Sequence, residues 1–160
     1  MDLRIRFARL VDLPRLLELY KVLDTADEPP APIEGARARF LDLVSNPQHR
    51  IFVAEIEKRI VGTFAMVFVS GLSHGTRESC VIEDVVVTPE MQGRGIGRQM
   101  MRFAMGRCAE RSCYKVALSS QLEQEQAERF YDKLGFVKHR YSFLVSRVAA
   151  NETKGDANRR

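Results

Sequence analysis

One segment constrains the fold of this chain more than any other: EDVVVTPEMQGRGIGRQMM, residues 83–101. Its valine run predicts a buried strand, Thr88-Pro89 ends that strand, and three glycines at alternate positions permit a tight turn before a basic helix start. Unpaired amides at the start of a helix, together with the helix dipole, attract negative charge, and Arg94 and Arg98 add cations. The segment therefore predicts a pyrophosphate site where a strand passes into a helix.

The composition predicts one folded domain that neither spans a membrane nor binds nucleic acid. With 160 residues, 45% of them hydrophobic, the chain has the usual size for a single core. Its longest apolar stretches, such as Ile60 to Val69, are about half the ~20 residues that cross a bilayer, and the start lacks an apolar signal core. The net charge is +4, but the basic residues are scattered and intermixed with 21 acidic residues, so we expect no nucleic-acid partner. These features predict a cytoplasmic protein.

The three cysteines suggest neither a disulfide framework nor a zinc site. Cys80, Cys108 and Cys113 are odd in number and lack paired CxxC spacing. We expect them to be reduced thiols outside the reaction centre, and we expect no bound metal.

Hydrophobic periodicity predicts ten elements in the order β α α β β β α β α β. Strands are expected at residues 4–9, 51–56, 60–69, 80–87, 114–119 and 136–146, and helices at about 12–23, 34–44, 95–111 and 123–134. This order predicts an α/β (α+β) fold with a mixed, mostly antiparallel central sheet flanked by helices. We expect one domain over residues 1–147 and a frayed tail over residues 148–160.

Particular residues are expected to shape these elements. Asp12 is expected to cap the first helix, and Gly135 to end the last one in a left-handed conformation. Residues 57–59 form the expected tight turn of an antiparallel hairpin, and residues 70–79, SGLSHGTRES, a polar loop. The side chains that the second helix is expected to turn toward the core are Ala38, Phe40, Leu41 and Val44.

Spacing separates three kinds of phosphate-binding turn. The ATP-type loop GxxxxGK[ST] is excluded, because no Lys-Ser or Lys-Thr pair follows a glycine here. The dinucleotide fingerprint GxGxxG fits poorly, since counting from Gly93 puts Arg98 where the last glycine should stand. The pattern that fits is Gln92-x-x-Gly95-x-Gly97, preceded by a hydrophobic strand.

With that pattern the sequence resembles the GNAT superfamily of acetyl-CoA-dependent N-acetyltransferases, whose hallmark is [QR]-x-x-G-x-[GA] at the same junction. A second segment, QEQAERFYDKLGF, is similar to the family's N-x-x-A-x-x-x-Y-x-x-x-G-F motif, with Gln124 in place of asparagine. The resemblance covers residues 3–146. The segments IEDVVV and CYKVAL are also similar to those of the glucosamine-6-phosphate N-acetyltransferases, although the residues after CYKVALSS depart from that subfamily.

The resemblance implies roles for two acids and one tyrosine. Glu83 and Asp84 are expected at the reaction centre, where a carboxylate accepts the proton of the attacking amine, directly or through water. Strand alternation would let only one of the two face that centre, and we favour Glu83 as the base. Tyr131 is expected to protonate the leaving thiolate or to contact the cofactor. A phenol (~10) is a weaker acid than a thiol (~8.5), so the site would have to assist this transfer.

Acetyl-CoA is the co-substrate that the resemblance implies. Backbone amides near Val85 and Val87 are expected to pair with its pantetheine arm like an added strand, and one of them to polarise the thioester. The residues expected to bind the cofactor are Val85, Val86, Val87, Gln92, Gly93, Arg94, Gly95, Ile96, Gly97, Arg98, Gln124 and Tyr131.

The function expected from these features is transfer of an acetyl group from acetyl-CoA to a primary amine of a small molecule, by direct attack in a ternary complex. A protein amino group is the alternative acceptor, and a non-catalytic acetyl-CoA sensor is the alternative class of protein. The sequence identifies neither the acceptor nor the oligomeric state. His74 is a candidate for the acceptor pocket, and the last strand is a candidate for a homodimer contact.

Overall fold

The computed structural model describes residues 2–23, 32–120 and 124–138, with Gln124 described by its backbone alone. The strands and α-helices in these ranges are β1 (Leu3–Phe7), α1 (Leu13–Tyr20), α2 (Ile33–Ser45), β2 (His49–Ile56), β3 (Arg59–Val69), β4 (Ser73–Thr76), β5 (Ser79–Val87), α3 (Ile96–Glu110), β6 (Lys115–Leu118) and α4 (Gln124–Asp132). The predicted fold class and element order are confirmed, with β4 added inside the segment that was expected to be a loop. The predicted last strand reaches beyond the described residues, and the predicted tail lies outside them.

The described residues form one five-stranded sheet in the order β1-β2-β3-β5-β6. Neighbouring strands are antiparallel except β5 and β6, which are parallel and are connected through α3. The hairpin between β2 and β3 turns through Glu57 and Lys58, which have positive φ values of 49° and 63°. Two successive positive φ values are typical of the type I′ turn that joins two-residue hairpins. The sheet thus combines an antiparallel half with one βαβ unit.

Two hydrophobic clusters cover the two faces of the sheet. The larger one packs against α3 and α4 and includes Phe64 and Met100, both 0% exposed. The smaller one packs against α1 and α2 and joins Leu16 and Phe40 to Ala65 of β3. Burying a large apolar side chain contributes roughly 1.5–3 kcal/mol. Burial of apolar side chains on both faces therefore stabilises the middle of the sheet, and β5 runs next to it.

The buried face of α2 differs from the prediction. Ala36 and Phe40 are buried, whereas Ala38 is exposed and Leu41 and Val44 are 46% and 36% exposed. The helix contacts the sheet through the i, i+4 pair Ala36 and Phe40, of which Phe40 was predicted to face the core. The prediction failed for the other three residues because α2 carries apolar residues on two faces, and periodicity does not say which face meets the sheet.

Asp12 also has a different role from the one predicted. Its carboxylate accepts the backbone N–H of Arg9 at 2.7 Å and pairs with Arg6 at 2.7 Å, and it makes no capping hydrogen bond to α1. Arg6 also contacts Glu55 at 2.9 Å, so these charges tie β1 to β2 and to the turn before α1. Gly135 follows α4 with a φ of 85°, as predicted. In the described part of the chain, none of the helices has the length and apolar character that crossing a membrane requires.

Candidate active site

A pocket of about 1130 Å³ opens where β5 and β6 part. The two strands pair from Ser79 opposite Lys115 to Ile82 opposite Leu118, and β6 ends there while β5 continues to Val87. Within the described ranges, the edge of β5 beyond Ile82 has no neighbouring strand on that side. Backbone N–H and C=O groups on such an edge can pair with an extended ligand.

At one end of the pocket the chain turns from β5 into α3 through glycines. Gly93 and Gly95 have positive φ values of 73° and 79°, a left-handed backbone that other residues adopt only with strain. Gly95 is the N-cap of α3, and the first helical turn, Ile96 to Arg98, lines the pocket. Unpaired amides at a helix start and an arginine are the groups that bind phosphate in proteins. This end of the pocket therefore fits a pyrophosphate group.

Two side-chain contacts hold the glycine turn in place. The side-chain amide of Gln92 donates a hydrogen bond to the carbonyl of Val87 at 2.9 Å, which fastens the turn to the end of β5. The ring of Phe130 lies 3.4 Å from the position that a β-carbon on Gly97 would occupy. The missing side chain at Gly97 thus lets α4 lie close to the start of α3.

At the other end of the pocket a β-bulge brings two carboxylates together. The register between β3 and β5 shifts at Phe64, which is opposed by two residues, Asp84 and Val85. Asp84 takes a positive φ of 52° in this bulge, a backbone that aspartate tolerates better than most residues. Alternation is interrupted, and Glu83 and Asp84 both line the pocket. The bulge therefore removes the strict alternation on which the expectation of a single facing acid was based.

Asp84 lies near two side chains, Tyr20 of α1 and His49 of β2. Although Asp84 borders the open pocket, the surrounding protein atoms desolvate its carboxyl and raise its pKa, while the charge of His49 lowers it. Burial, and after it the charge of Asp84, raises the pKa of Tyr20 to about 12, while a hydrogen bond with Thr63 lowers it. A carboxylate with a raised pKa is a stronger base than a free one. Asp84 is thus suited to accept a proton.

Tyr131 lines the pocket from α4. Its ring packs edge-on against Phe130 and Phe136, with ring centres 4.9 Å and 5.7 Å away. Burial raises the pKa of Tyr131, and a hydrogen bond with Ser120 lowers it. The phenol is consequently protonated at neutral pH, which is the form required of a proton donor.

Most residues predicted for the site line this pocket. They are Glu83, Asp84, Val85, Val86, Val87, Gln92, Gly93, Gly95, Ile96, Gly97, Arg98 and Tyr131. Arg94 is not among the lining residues, and the side chain of Gln124 lies outside the described residues. Lining residues that the sequence did not suggest are Val22, Leu23, Met91, Ser119, Ser120 and Phe130. The serines could have been found from their place after the strand that precedes α4, but no pattern pointed to the end of α1.

His74 and the cysteines do not line the pocket. The imidazole of His74 stacks on Tyr114 with ring centres 3.9 Å apart, at the end of the sheet where β6 begins. A hydrogen bond with Cys80, together with burial, raises the pKa of Cys108, and burial raises the pKa of Cys113 to about 11. These thiols stay protonated at neutral pH. In the part of the chain that the structure describes, no group of three or more His, Cys, Asp or Glu side chains could hold a metal ion.

Comparison with known proteins agrees with this geometry. The family model described as "Acetyltransferase (GNAT) family" matches residues 16–136. The chain is 32% identical over 139 residues to glucosamine 6-phosphate N-acetyltransferase of Trypanosoma brucei brucei, a match that covers 87% of this chain and 92% of the relative.

Solved structures show the same fold. A crystal structure of a Trypanosoma brucei acetyltransferase superposes with a TM-score of 0.79 at 30% identity and covers 91% of this chain and 100% of that one. For glucosamine-6-phosphate N-acetyltransferase of Arabidopsis thaliana, the TM-score is 0.76 at 26% identity, with 92% and 99% covered.

The fold and the site define an acyl-transferring enzyme of the mixed α/β class. The chain belongs to the acetyltransferase (GNAT) family, as its two motifs predicted. It is accordingly an N-acetyltransferase.

Proposed function

We propose that this chain transfers the acetyl group of acetyl-CoA to a primary amine of a small molecule, with both substrates bound together. The observation that carries the proposal is the pocket that follows the open edge of β5 from the glycine turn to Glu83 and Asp84. One end is rich in amides and carries Arg98, and the other end is acidic. This distribution of charge suits a phosphorylated cofactor that lies along β5, with a cationic amine bound beside the acyl end of that cofactor.

The residues at the first end fit a CoA thioester. Amides at the start of α3, together with Arg98, would hold its diphosphate. The backbone of β5 from Glu83 to Val87 would pair with the pantetheine amides, because the neighbouring strand β6 ends before that stretch. When bound, acetyl-CoA supplies an acetyl group activated as a thioester.

At the acidic end, Asp84 would accept the proton that the ammonium group loses to become a nucleophile, and the second proton, lost after the carbon–nitrogen bond has formed, would pass to water. Free alkyl amines have a pKa near ~10, so most of the acceptor arrives as an ammonium ion at neutral pH. Desolvation raises the pKa of Asp84 and makes its carboxylate a stronger base. The sequence favoured Glu83 for this step, but the bulge and the desolvation favour Asp84. Glu83 beside it would hold the ammonium by charge.

Tyr131 would give its proton to the sulphur as the thioester bond breaks. It lines the pocket with Ser120, near the point where the strands part, and burial keeps its phenol protonated. The same burial makes it a weaker acid, so this transfer needs help from a neighbouring group.

Glucosamine 6-phosphate is the first acceptor to test, because the relative from Trypanosoma brucei brucei is named for its acetylation. The alternative functions are a non-catalytic sensor of acetyl-CoA and an acetyltransferase that acts on a protein amino group. A cytoplasmic location and a homodimer stay predictions.

The test is release of CoA thiol from acetyl-CoA by the purified full chain. The amines offered are glucosamine 6-phosphate, glucosamine, spermidine, kanamycin and a lysine-containing peptide, and a reaction without amine measures hydrolysis. We expect amine-dependent thiol release with at least one of the four small amines, above the rate with the peptide. Binding of acetyl-CoA in calorimetry without thiol release from any of the five would contradict the proposal and favour the sensor.

A further inference from the structure

Thr88 lies at the point where β5 has ended and the chain turns toward the glycines. It is a buried polar residue, 9% exposed. Its backbone N–H donates to the carbonyl of Val61 at 2.8 Å, which fastens the residue to β3. Its hydroxyl oxygen lies 2.6 Å from a carboxylate oxygen of Glu90 and 3.4 Å from Nη2 of Arg15. Thr88 thus joins a cation of α1 to an acid of the segment that precedes the glycine turn.

The chemistry of the three side chains determines the direction of both hydrogen bonds. An ionised carboxylate only accepts hydrogen bonds and a guanidinium only donates them, whereas a hydroxyl does both. The hydroxyl of Thr88 therefore donates its proton to Glu90, and its oxygen accepts a hydrogen bond from Arg15. The hydrogen bond from Thr88 lowers the pKa of Glu90, so this carboxyl group is ionised at neutral pH.

The negative charge of Glu90 lies close in the chain to the phosphate end of the pocket. Met91, Gln92 and Gly93, which follow Glu90 directly, line the pocket, whereas Glu90 does not. Glu90 is exposed, and a glutamate side chain that nothing restrains samples several rotamers. In some of them its charge would come closer to a bound diphosphate. Exposed charges act over roughly 10 Å in ~0.1 M salt, so a free carboxylate here would oppose the binding of phosphate.

We propose that Thr88 is a positioning residue for cofactor binding: its hydroxyl holds the carboxylate of Glu90 beside Arg15 and away from the phosphate end of the pocket. The inference rests on the proposed function, in which the diphosphate of acetyl-CoA binds at the glycine turn. Arg15 supports the arrangement from α1, because its Nε also donates to the carbonyl of Ile60 at 3.1 Å. With Glu90 held in this way, Arg98 meets the phosphates without competition from that acid.

The first experiment measures the binding of acetyl-CoA by calorimetry to the full chain as wild type, Thr88→Val and Thr88→Ser. Valine keeps the branched shape of threonine and suits the extended backbone at this position, where ψ is 137°. Thr88→Val should weaken binding by about three- to tenfold at low salt, because the charge of Glu90 is released near the diphosphate. The difference from wild type should shrink in ~0.5 M salt, which screens exposed charges. Thr88→Ser keeps the hydroxyl and should bind like wild type.

A double variant separates the effect of charge from a general effect on the fold. If the loss comes from the released carboxylate, adding Glu90→Gln to Thr88→Val should restore the affinity to within about twofold of wild type. Glu90→Gln alone should change the affinity by less than about twofold, because Thr88 already holds that charge. Glu110→Gln is the matched control, since Glu110 is another exposed acid, paired with Arg107 at 2.7 Å at the end of α3. It should not restore the affinity of Thr88→Val.

Two results would overturn the inference while leaving the proposed function intact. One is an affinity of Thr88→Val at low salt that equals that of wild type. The other is a loss of affinity in Thr88→Val that Glu90→Gln does not restore, which would make the hydroxyl a support of the backbone alone. Absence of acetyl-CoA binding to wild type would instead reject the proposed function, and this inference with it.

Discussion

Tyr20 of α1 and Asp84 of β5 interact at the acidic end of the pocket: burial, and after it the negative charge of Asp84, raise the pKa of Tyr20 to about 12. The phenol of Tyr20 is therefore neutral throughout the physiological range, and the charge at this end comes from the two carboxylates. Desolvation also raises the pKa of Asp84. The surroundings of Asp84 thus favour its uncharged form and increase its affinity for a proton.

Asp84→Asn should lower kcat by roughly 10²-fold or more, the usual loss when a general base is removed. Asparagine also tolerates the positive φ of this position, so the bulge should persist. Wild-type activity should fall as pH drops through the pKa of Asp84, which lies above that of an ordinary aspartate. That acid limb should be absent in the variant.

Glu83→Gln is the matched comparison for Asp84→Asn. Because Glu83 is proposed to hold the ammonium, its substitution should raise KM for the amine more than it lowers kcat. The opposite pattern, in which Glu83→Gln abolishes the acid limb and Asp84→Asn keeps it, would assign the base to Glu83 instead.

Tyr131→Phe should reduce kcat at neutral pH by roughly one or more orders of magnitude, because it removes the proton donor and keeps the ring. The affinity for acetyl-CoA, measured by calorimetry, should stay near that of wild type, since the ring contacts with Phe130 and Phe136 are preserved. Unchanged turnover would show that the thiolate leaves without this acid.

Arg98→Ala should weaken acetyl-CoA binding by roughly tenfold, the effect of losing one charged contact to phosphate. Arg102→Ala is the control, because Arg102 is an exposed arginine on the same helix that does not line the pocket. Calorimetry at two salt concentrations should show a smaller salt dependence for Arg98→Ala than for Arg102→Ala. Equal affinities for the two variants would mean that the diphosphate does not bind at the glycine turn.

Gly95→Ala and Gly106→Ala should change thermal stability in opposite directions. A side chain at Gly95 is strained by its φ of 79°, at a cost of roughly 1–2 kcal/mol. Gly106 lies within α3 with open space around it, so alanine there should stabilise the helix by roughly 0.5–1 kcal/mol. Differential scanning fluorimetry should show a lower Tm for the first variant and a higher Tm for the second. The same sign for both would remove the case for a left-handed backbone at Gly95.

The sequence predicted the fold and the glycine turn well, because both depend on local patterns. The alternation of β2 and β3, the period of α3 and the spacing of Gln92, Gly95 and Gly97 are visible in a single chain. The β5–β6 split was not predicted, since it depends on where the short strand β6 stops pairing. That end point is set by tertiary packing and not by the propensity of Ser119 or Ser120.

The acidic end was predicted only in part. Glu83 and Asp84 were identified by the family pattern, but strand alternation gave the wrong geometry because a bulge leaves no mark in the sequence when its left-handed residue is an aspartate. Tyr20 could not be linked to Asp84 at all. Their proximity depends on how α1 crosses the sheet, which periodicity does not determine.

The early end of β6 has a thermodynamic consequence. A bound ligand that pairs with the free edge of β5 acts as an additional strand, so it should slow amide hydrogen exchange from Glu83 to Val87. Folding and ligand affinity are then linked: tenfold more free ligand above saturation stabilises the native state by about 1.4 kcal/mol. The supply of its thioester in the cell would in this way influence how long the protein survives proteolysis.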